Sequence, residues 1–426
     1  MTTPPVAQVD VARGLAIDLK RQWRKGGEAD AAAALAAHPE LARHKSVVLD
    51  LAYEEYLLRE KAGGAPDPGA FAGRFPAFRA SIRAMLDEHQ LLTERPELLD
   101  PKAAEWPAVE SQFEGLDLLA ELGKGAFGRA YLAFDPDTSR LCVLKLATGR
   151  SIEAKVIGRL AHPHVTDVYW ARAVGPRTAV CMPFVGVSTL ADVVSTAFPH
   201  PGDAPPAAAD VILHAAAADQ LAGEIERRSA AVVRPGEGYL VGAAAVAARI
   251  ADAVGYLHGK GVAHGDLKPS NVVVGPGGVP HLIDFNLSTE AGAPAAVRGT
   301  PAYMAPELLD AAAAGVPPAG IDLARADLFS LGAVVFELLT GRLPVPPPAS
   351  GPWTASVVAA ADAGAFAALA AAARRPLPAL PAALPPAAAA ALAACLAADP
   401  AARPASAGEL AAALDQFVQD RRPAPG

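Results

Sequence analysis

Cysteine is scarce in this chain. Its 426 residues hold three, Cys142, Cys181 and Cys395, with no Cys-x-x-Cys pair. An odd, sparse set in apolar strand or helix contexts argues against a disulfide framework and for reduced thiols, so a cytoplasmic location is expected. A large excess of one charge is missing too. The net charge is −8, and nothing in it points to a nucleic-acid partner. Long apolar runs are also absent, although 52% of residues are hydrophobic, because much of that share is alanine. The richest runs, Phe366–Ala373 and Ala387–Ala398, are short and broken by Pro, Arg or Asp. None reaches the roughly 18–20 uninterrupted apolar residues of a membrane span. No span is expected, including beyond Asp420, where six residues remain. The N-terminal Met-Thr-Thr-Pro-Pro has no apolar core, so no signal peptide is expected either.

A chain of this length accommodates one to three domains. Residues 1–108 read as helical. Phe78, Ile82, Met85 and Leu86 fall at i, i+4, i+7 and i+8, an amphipathic stripe. Val47, Val48, Leu51 and Leu58 suggest a second helix, with Glu54, Glu55, Arg59 and Glu60 available to its wet face. The stretch from Gly63 to Gly69 is a loop between them. No catalytic constellation occurs here, and a small docking or packing module is expected.

The chemistry lies further on. Residues 264–271 read His-Gly-Asp-Leu-Lys-Pro-Ser-Asn, and thirteen residues after Asn271 comes Asp284-Phe285-Asn286. An Asp with an Asn five residues on, then a second Asp near the end of a β-hairpin, is how a chain assembles a phosphoryl-transfer site. Asp266 would orient the acceptor hydroxyl. Asn271 and Asp284 supply hard oxygen ligands of the kind that suit Mg²⁺. Upstream, Leu122-Gly-Lys-Gly-Ala-Phe-Gly128 places glycines at 123, 125 and 128, which lets backbone N–H groups approach phosphate. A dinucleotide-binding turn shares the pattern but is followed by a long helix. Here a β-prone Ala130–Phe134 follows, then a break at Asp135-Pro-Asp137 and a strand, Leu141–Lys145. The residues from Ser151 to Leu160 have helical spacing and carry Glu153.

Together these residues resemble the eukaryotic-like Ser/Thr protein kinases of bacteria (Hanks type), over roughly 113–420. The resemblance continues through Gly299-Thr-Pro-Ala-Tyr-Met-Ala-Pro-Glu307, through Asp327-Leu-Phe-Ser-Leu-Gly332, and to Arg403, which matches the partner of Glu307. It implies an α+β, bilobal protein-kinase fold behind the all-α segment. The small lobe would span 113–182, the hinge 183–186 and the helical lobe 187–420. The helical segment 1–108 resembles, more weakly, the region ahead of the kinase domain in Planctomycetes-like kinases. Residues 197–236, helix-compatible over Ala207–Arg228, are longer than the family connection. They read as an insertion, expected as a surface elaboration or, like 1–108, a docking element. Pro344–Pro348 and Pro376–Pro386 read as loops.

The resemblance also implies roles. Lys145 would meet the α- and β-phosphates of ATP, oriented by Glu153, and Lys268 would stabilise the transferring phosphoryl group and favour Ser/Thr acceptors. ATP would lie against Gly123, Gly125, Gly128, Ala130, Val143, the gatekeeper Met182, the backbone at Pro183 and Val185, and Val273. Proline at 183 keeps the carbonyl that an adenine amino group needs. Ile157, Val168, His264 and Phe285 would stack as a spine without chemistry. Partners would be protein substrates.

Four positions depart from the family. Gly265 stands for the arginine that pairs with an activation-segment phosphate, for which Ser288, Thr289 and Thr300 are candidates. Asn286 stands for the glycine of DFG, and tolerates positive φ best after Gly. Ala130 stands for a valine and Val143 for an alanine, a swap that conserves volume over the adenine. In addition, Thr189 stands where many kinases carry an acidic contact. Two other readings stay open. A pseudokinase would bind nucleotide or partners without transfer. A small-molecule phosphotransferase of the aminoglycoside or choline kinase type shares His-Gly-Asp-Leu and a downstream Asn.

Overall fold

A computed structural model describes residues 5–64, 66–94, 106–125, 128–148, 160–200, 202–217, 230–284, 289–290, 299–346 and 363–422. The N-terminal part is a five-helix bundle: α1 (Pro5–Arg24), α2 (Ala31–Ala37), α3 (Lys45–Lys61), α4 (Pro68–Ala72) and α5 (Arg79–Glu94). Asp30 and Asp67 set two helix starts, each accepting an N–H from three residues on at 2.9 and 2.8 Å. Pro68 occupies the first helical position of α4, where no N–H is needed. The predicted stripe is buried at Phe78, Ile82 and Leu86, with Met85 partly covered. They join Trp23, Leu51, Tyr56 and Phe71 in a core of their own.

The wet face expected of Glu54 and Glu55 is corrected. Helices α1, α2 and α5 all lie against α3, so it has little free surface. Glu55 is wholly buried and accepts the Ala31 N–H at 2.7 Å, with Arg59 and Arg74 against its carboxylate. Glu54 takes a two-pronged bond from Arg24, whose hydrogen bond holds the Glu54 carboxyl below its usual range. Periodicity cannot reveal this, because each carboxylate is neutralised by arginine from another element.

A six-stranded antiparallel sheet follows, in the order β1-β2-β3-β4-β6-β5. Its strands are β1 (Gln112–Phe113), β2 (Leu116–Gly125), β3 (Gly128–Asp135), β4 (Arg140–Thr148), β5 (Trp170–Val174) and β6 (Arg177–Pro183). Packing of this unit begins before Phe113. Trp106 lies between the guanidinium groups of Arg129 and Arg177, 5.4 and 4.6 Å from its ring. Residue alternation gives the sheet two apolar faces. Tyr131, Ala133, Cys142, Leu144 and Cys181 share one core, while Leu132, Val143 and Phe184 share another. Register places Ala130 opposite Lys145, Leu132 opposite Val143, and Val143 opposite Met182. Ala130, Val143, Lys145 and Met182 therefore lie on one face.

The larger unit is mostly helical: α6 (Leu190–Ala197), α7 (Asp210–Ala216), α8 (Tyr239–Gly259), α9 (Pro306–Ala314), α10 (Leu323–Thr340), α11 (Ala363–Ala373), α12 (Pro386–Cys395) and α13 (Gly408–Arg421). It also holds β7 (Val262–Ala263), paired with β10 (Thr289–Glu290), and a hairpin of β8 (Val272–Gly275) and β9 (Val279–Leu282). Helix α8 is long and apolar enough to cross a membrane, a feature that uninterrupted apolar runs do not reveal because Arg249 and Asp252 break the sequence. It is largely buried at the centre of the helical core, with α10 and α13 against it.

The described part of the segment 197–236 is not wholly a surface elaboration. Among its described residues, Ala209, Ile212, Ala215, Ala216 and Val233 are buried in the core of the helical lobe. The Val232 and Val233 N–H groups both donate to the Gly277 carbonyl, at 2.9 and 3.0 Å. Of the helix-compatible stretch 207–228, Asp210–Ala216 forms α7, and 218–229 lie outside the described residues.

Candidate active site

The loop between β7 and β8 carries Asp266, and α10 sets its shape. Asp327, near the start of α10, accepts the His264 N–H at 2.6 Å and the Gly265 N–H at 2.9 Å. Receiving both bonds forces the chain through φ +80° at Gly265, where a side chain is strained. The departure at 265 thus has a local reason. A Cβ added at Gly299, where φ is +137°, would also stand 3.1 Å from the Gly265 carbonyl. Two glycines let the segment ending at Thr300 lie directly on the loop. His264 is fully buried, its Nε2 3.1 Å from the Ile283 carbonyl, as fits a packing role.

Thr300 completes a ring that sequence reasoning missed. Its hydroxyl donates to Asp266 Oδ1 at 2.7 Å and accepts from Lys268 Nζ at 2.9 Å. Lys268 also lies 3.0 Å from Asp266 Oδ2. Thr300 is 2% exposed, so its expected candidacy as a phosphate acceptor is corrected: it belongs to the site's interior. The available signal is its place directly after Gly299.

Asn271 and Asp284 are brought together by the hairpin. The Ile283 N–H donates to the Asn271 carbonyl at 3.0 Å. The Asn271 amide nitrogen donates to the Asp266 carbonyl at 2.8 Å, which commits the nitrogen and leaves the amide oxygen as the atom with ligand chemistry. Asp284 sits at φ +69°, a conformation costly for a non-glycine residue and common at functional sites. Lys145 Nζ donates to Asp284 Oδ1 at 2.9 Å. Burial would raise the Asp284 carboxyl, but Lys145, with help from Lys268 and His264, outweighs it and holds the group at about 2. An ionised carboxylate and an amide oxygen are both hard donors, of the kind that fits Mg²⁺.

The nucleotide residues lie as follows. A Cβ added at Gly123 meets nothing within 4 Å, so protein packing does not demand glycine there and the space suits a phosphate. Gly125 ends β2. A Cβ at Gly128 would meet the Leu146 carbonyl at 2.4 Å, so that glycine is required by β4. Ala130 and Val143 are diagonal neighbours with Leu132 between them, so the exchange of bulk runs diagonally across the face. Leu122 packs into that cluster and was not singled out from sequence. Met182, Phe184 and Val185 are buried, and Val273 lies beneath the hinge, where a Cβ on Gly186 would stand 3.3 Å from its methyl. Thr189 caps α6 through Asp192. Pro183 pairs in register with Cys142. Glu153, Ile157, Phe285 and Asn286 lie outside the described residues. Val168 is partly buried against the helical core.

Arg403 grips Glu307 with two bonds of 2.6 and 2.8 Å, as the resemblance implied. Nearby, Tyr303 donates to Glu337 at 2.7 Å. Burial lifts the Glu337 carboxyl to about 7, against the opposing effect of that bond. The folded state therefore keeps a proton that the unfolded chain releases near a carboxylate's ordinary value of about 4.3. Stability must fall as pH rises from there to about 7, and stay lower above it. Glu337→Gln removes this loss. Its melting temperature relative to the unsubstituted protein should rise more at about pH 8 than at about pH 4.5. Equal shifts at both pH values would refute the burial argument.

The profile of the protein kinase domain matches residues 116–414. The chain is 28% identical over 276 residues to the serine/threonine-protein kinase mos of Xenopus laevis, covering 59% of this chain and 64% of that protein. It is 29% identical over 240 residues to the putative CBL-interacting protein kinase 27 of Oryza sativa subsp. japonica, covering 52% and 48%. It is 28% identical over 255 residues to the serine/threonine-protein kinase PknD of Mycobacterium tuberculosis (strain CDC 1551 / Oshkosh), covering 56% and 31%. The chain thus spans less than two thirds of each of these relatives.

Proposed function

The chain belongs to the protein kinase domain family, and on that premise we propose that it transfers the γ-phosphoryl group of Mg-ATP to serine and threonine hydroxyls of proteins. The observation that carries this reading is the bonded ring of Asp266, Lys268 and Thr300. Thr300 fixes the Asp266 carboxylate, which accepts and orients the substrate hydroxyl. Lys268 places a positive charge beside the acceptor position, where it would stabilise the transferring phosphoryl group. Lys145 is held by Asp284 on the face that Ala130, Val143 and Met182 share, and it orients the nucleotide. Asn271 and Asp284 would hold Mg²⁺, which would supply positive charge to offset that of the nucleotide phosphates. Gly123, Gly125 and Gly128 would cradle the phosphates, and Glu153 would orient Lys145.

A bacterial, eukaryotic-like subtype is supported by the likeness to PknD. A cytoplasmic location is supported by three free, buried cysteines. Gly265 offers no guanidinium for an activation-segment phosphate, so activity should not need one. The test is transfer from labelled Mg-ATP to a basic protein. Label should appear on serine and threonine, and prior phosphatase treatment should change the rate by less than about threefold. Label on tyrosine alone, or none on any protein, would overturn the reading.

A further inference from the structure

The N-terminal bundle meets the kinase fold on both sides of the hinge, and the two contacts differ in kind. On the helical lobe the contact is buried and charged. Lys45, the first residue of α3, is 6% exposed, and Asp192 in the first turn of α6 is 1% exposed. Lys45 Nζ donates to Asp192 Oδ2 at 2.7 Å and to the Val187 carbonyl at 2.9 Å. The Ser81 hydroxyl donates to the other Asp192 oxygen at 2.7 Å. Asp192 in turn accepts the Thr189 N–H at 2.9 Å, which closes the start of α6. Farther along α6, Arg79 donates to the Ser195 hydroxyl and the Phe198 carbonyl, both at 3.0 Å, and to the Pro199 carbonyl.

On the small lobe the contact is made against the sheet. Helices α1, α3 and α5 lie against β2, the strand that runs into the glycine loop. An ion pair there, Arg13 with Glu110, spans 3.9 Å, and Glu110 is 62% exposed. Such a pair contributes little. The bundle is therefore anchored at the exit of the hinge and leans on the glycine strand.

Val187 lies two residues beyond Val185, whose backbone is a candidate adenine contact. A buried ammonium on the Val187 carbonyl fixes the direction in which the chain leaves the hinge. The same ammonium fixes the helix start that follows. We infer that Lys45 is a positioning residue for the nucleotide site: through Val187 and Asp192 it holds the Pro183–Val185 backbone in the geometry that receives adenine, so the N-terminal bundle sets nucleotide affinity. The inference rests on the kinase reading above for its ligand.

Truncating Lys45 alone would strand a buried carboxylate and endanger folding. The informative variant is the pair Lys45→Met with Asp192→Asn. It leaves no orphan charge, and the Asn amide oxygen can still accept the Thr189 N–H. Binding of Mg-ADP to the full chain, measured by calorimetry, should weaken about fivefold or more, the range of ordinary coupling between sites. KM for ATP should rise in step, while kcat stays within about twofold, because no transition-state contact is lost. Lys45→Arg, which keeps a cation on Asp192, should recover most of the affinity. Arg79→Ala cuts the same interface away from the hinge, and it should lower the melting temperature without moving the Mg-ADP affinity. Unchanged affinity in the paired variant, or an equal loss in Arg79→Ala, would overturn the inference and leave the bundle a stabilising cover. Absence of Mg-ADP binding by the unsubstituted protein would instead remove the kinase reading, and the inference with it.

Discussion

Asp284→Asn should lower phosphoryl transfer by about 10²-fold or more, the usual cost of removing a preorganised electrostatic partner of the transition state. The substitution is a clean one for physical reasons. Asp284 sits at φ +69°, and asparagine tolerates that region nearly as well as any side chain. The backbone turn should survive, and the loss is one negative charge. That charge is secure in the unsubstituted protein. Lys145 and its neighbours hold the carboxyl at about 2 against the effect of burial. A depressed carboxylate contributes stability that is full above its unfolded value of about 3.9 and is lost only as pH falls towards 2. Hence Asp284 stays ionised wherever the enzyme works, and any acid limb in the rate profile must come from another group. The substitution would also replace the ionised group that Lys145 meets at 2.9 Å with a neutral one, so the lysine proposed to orient the nucleotide would loosen as well. Initial rates with Mg-ATP and a basic protein decide the matter. A variant with wild-type rates would mean that Asp284 has no part in transfer, and a fold that binds partners without catalysis would then be the better reading.

What the sequence shows of this site is its polar and charged groups. Asp266, Lys268, Asn271, Asp284 and Lys145 stand in motifs whose spacing is set by tight loops and short strands. Local geometry carries such signals, and the structure brings all five to one place. Arg403 and Glu307 were legible as a pair through the family resemblance, although 96 residues separate them. The hidden part lies in long-range pairings of ordinary residues. Thr300 looks like a loop threonine until two glycines, Gly265 and Gly299, let it touch Asp266. Glu55 looks solvated until arginines from two directions bury it. Lys45 looks like a polar first turn, and its partner Asp192 is 147 residues away. Hydrophobic periodicity reports which face of a helix is apolar. It does not report that a charged residue has found its opposite in a distant segment. The core role of Ile212 and Val233 was missed for a related reason, since a segment opening with prolines and glycine reads as surface.

Arg403→Met should destabilise the fold more than Glu307→Ala, and both more than Glu307→Gln. The order follows from what each substitution strands. The Arg403 side chain is fully buried, and its guanidinium serves four acceptors: the Glu307 carboxylate and the carbonyls of Ala397, Ala398 and Arg325. Removing it leaves a carboxylate and three carbonyls without that donor. Breaking a buried ion pair from one side typically costs about 3–5 kcal/mol, and buried carbonyls left unsatisfied add to it. Glu307→Ala strands one guanidinium that retains its carbonyl partners, and the Glu307 side chain is 18% exposed, so water can enter beside it. Its cost should fall to about 2–3 kcal/mol, near the worth of hydrogen bonds to a charged group. Glu307→Gln keeps an acceptor for one prong of the arginine and should cost about 1–2 kcal/mol. At roughly 2–4 °C per kcal/mol for a domain of this size, Arg403→Met should melt about 10 °C or more below the unsubstituted protein. Thermal unfolding of the three variants tests the order. Equal losses in Arg403→Met and Glu307→Ala would show that the carbonyl bonds carry no weight, leaving the pair as a simple two-member bridge. A loss below about 1 kcal/mol in Arg403→Met would place it with exposed surface pairs, and the anchoring of the Gly299–Glu307 segment would then rest on the packing of Tyr303 and Met304 instead.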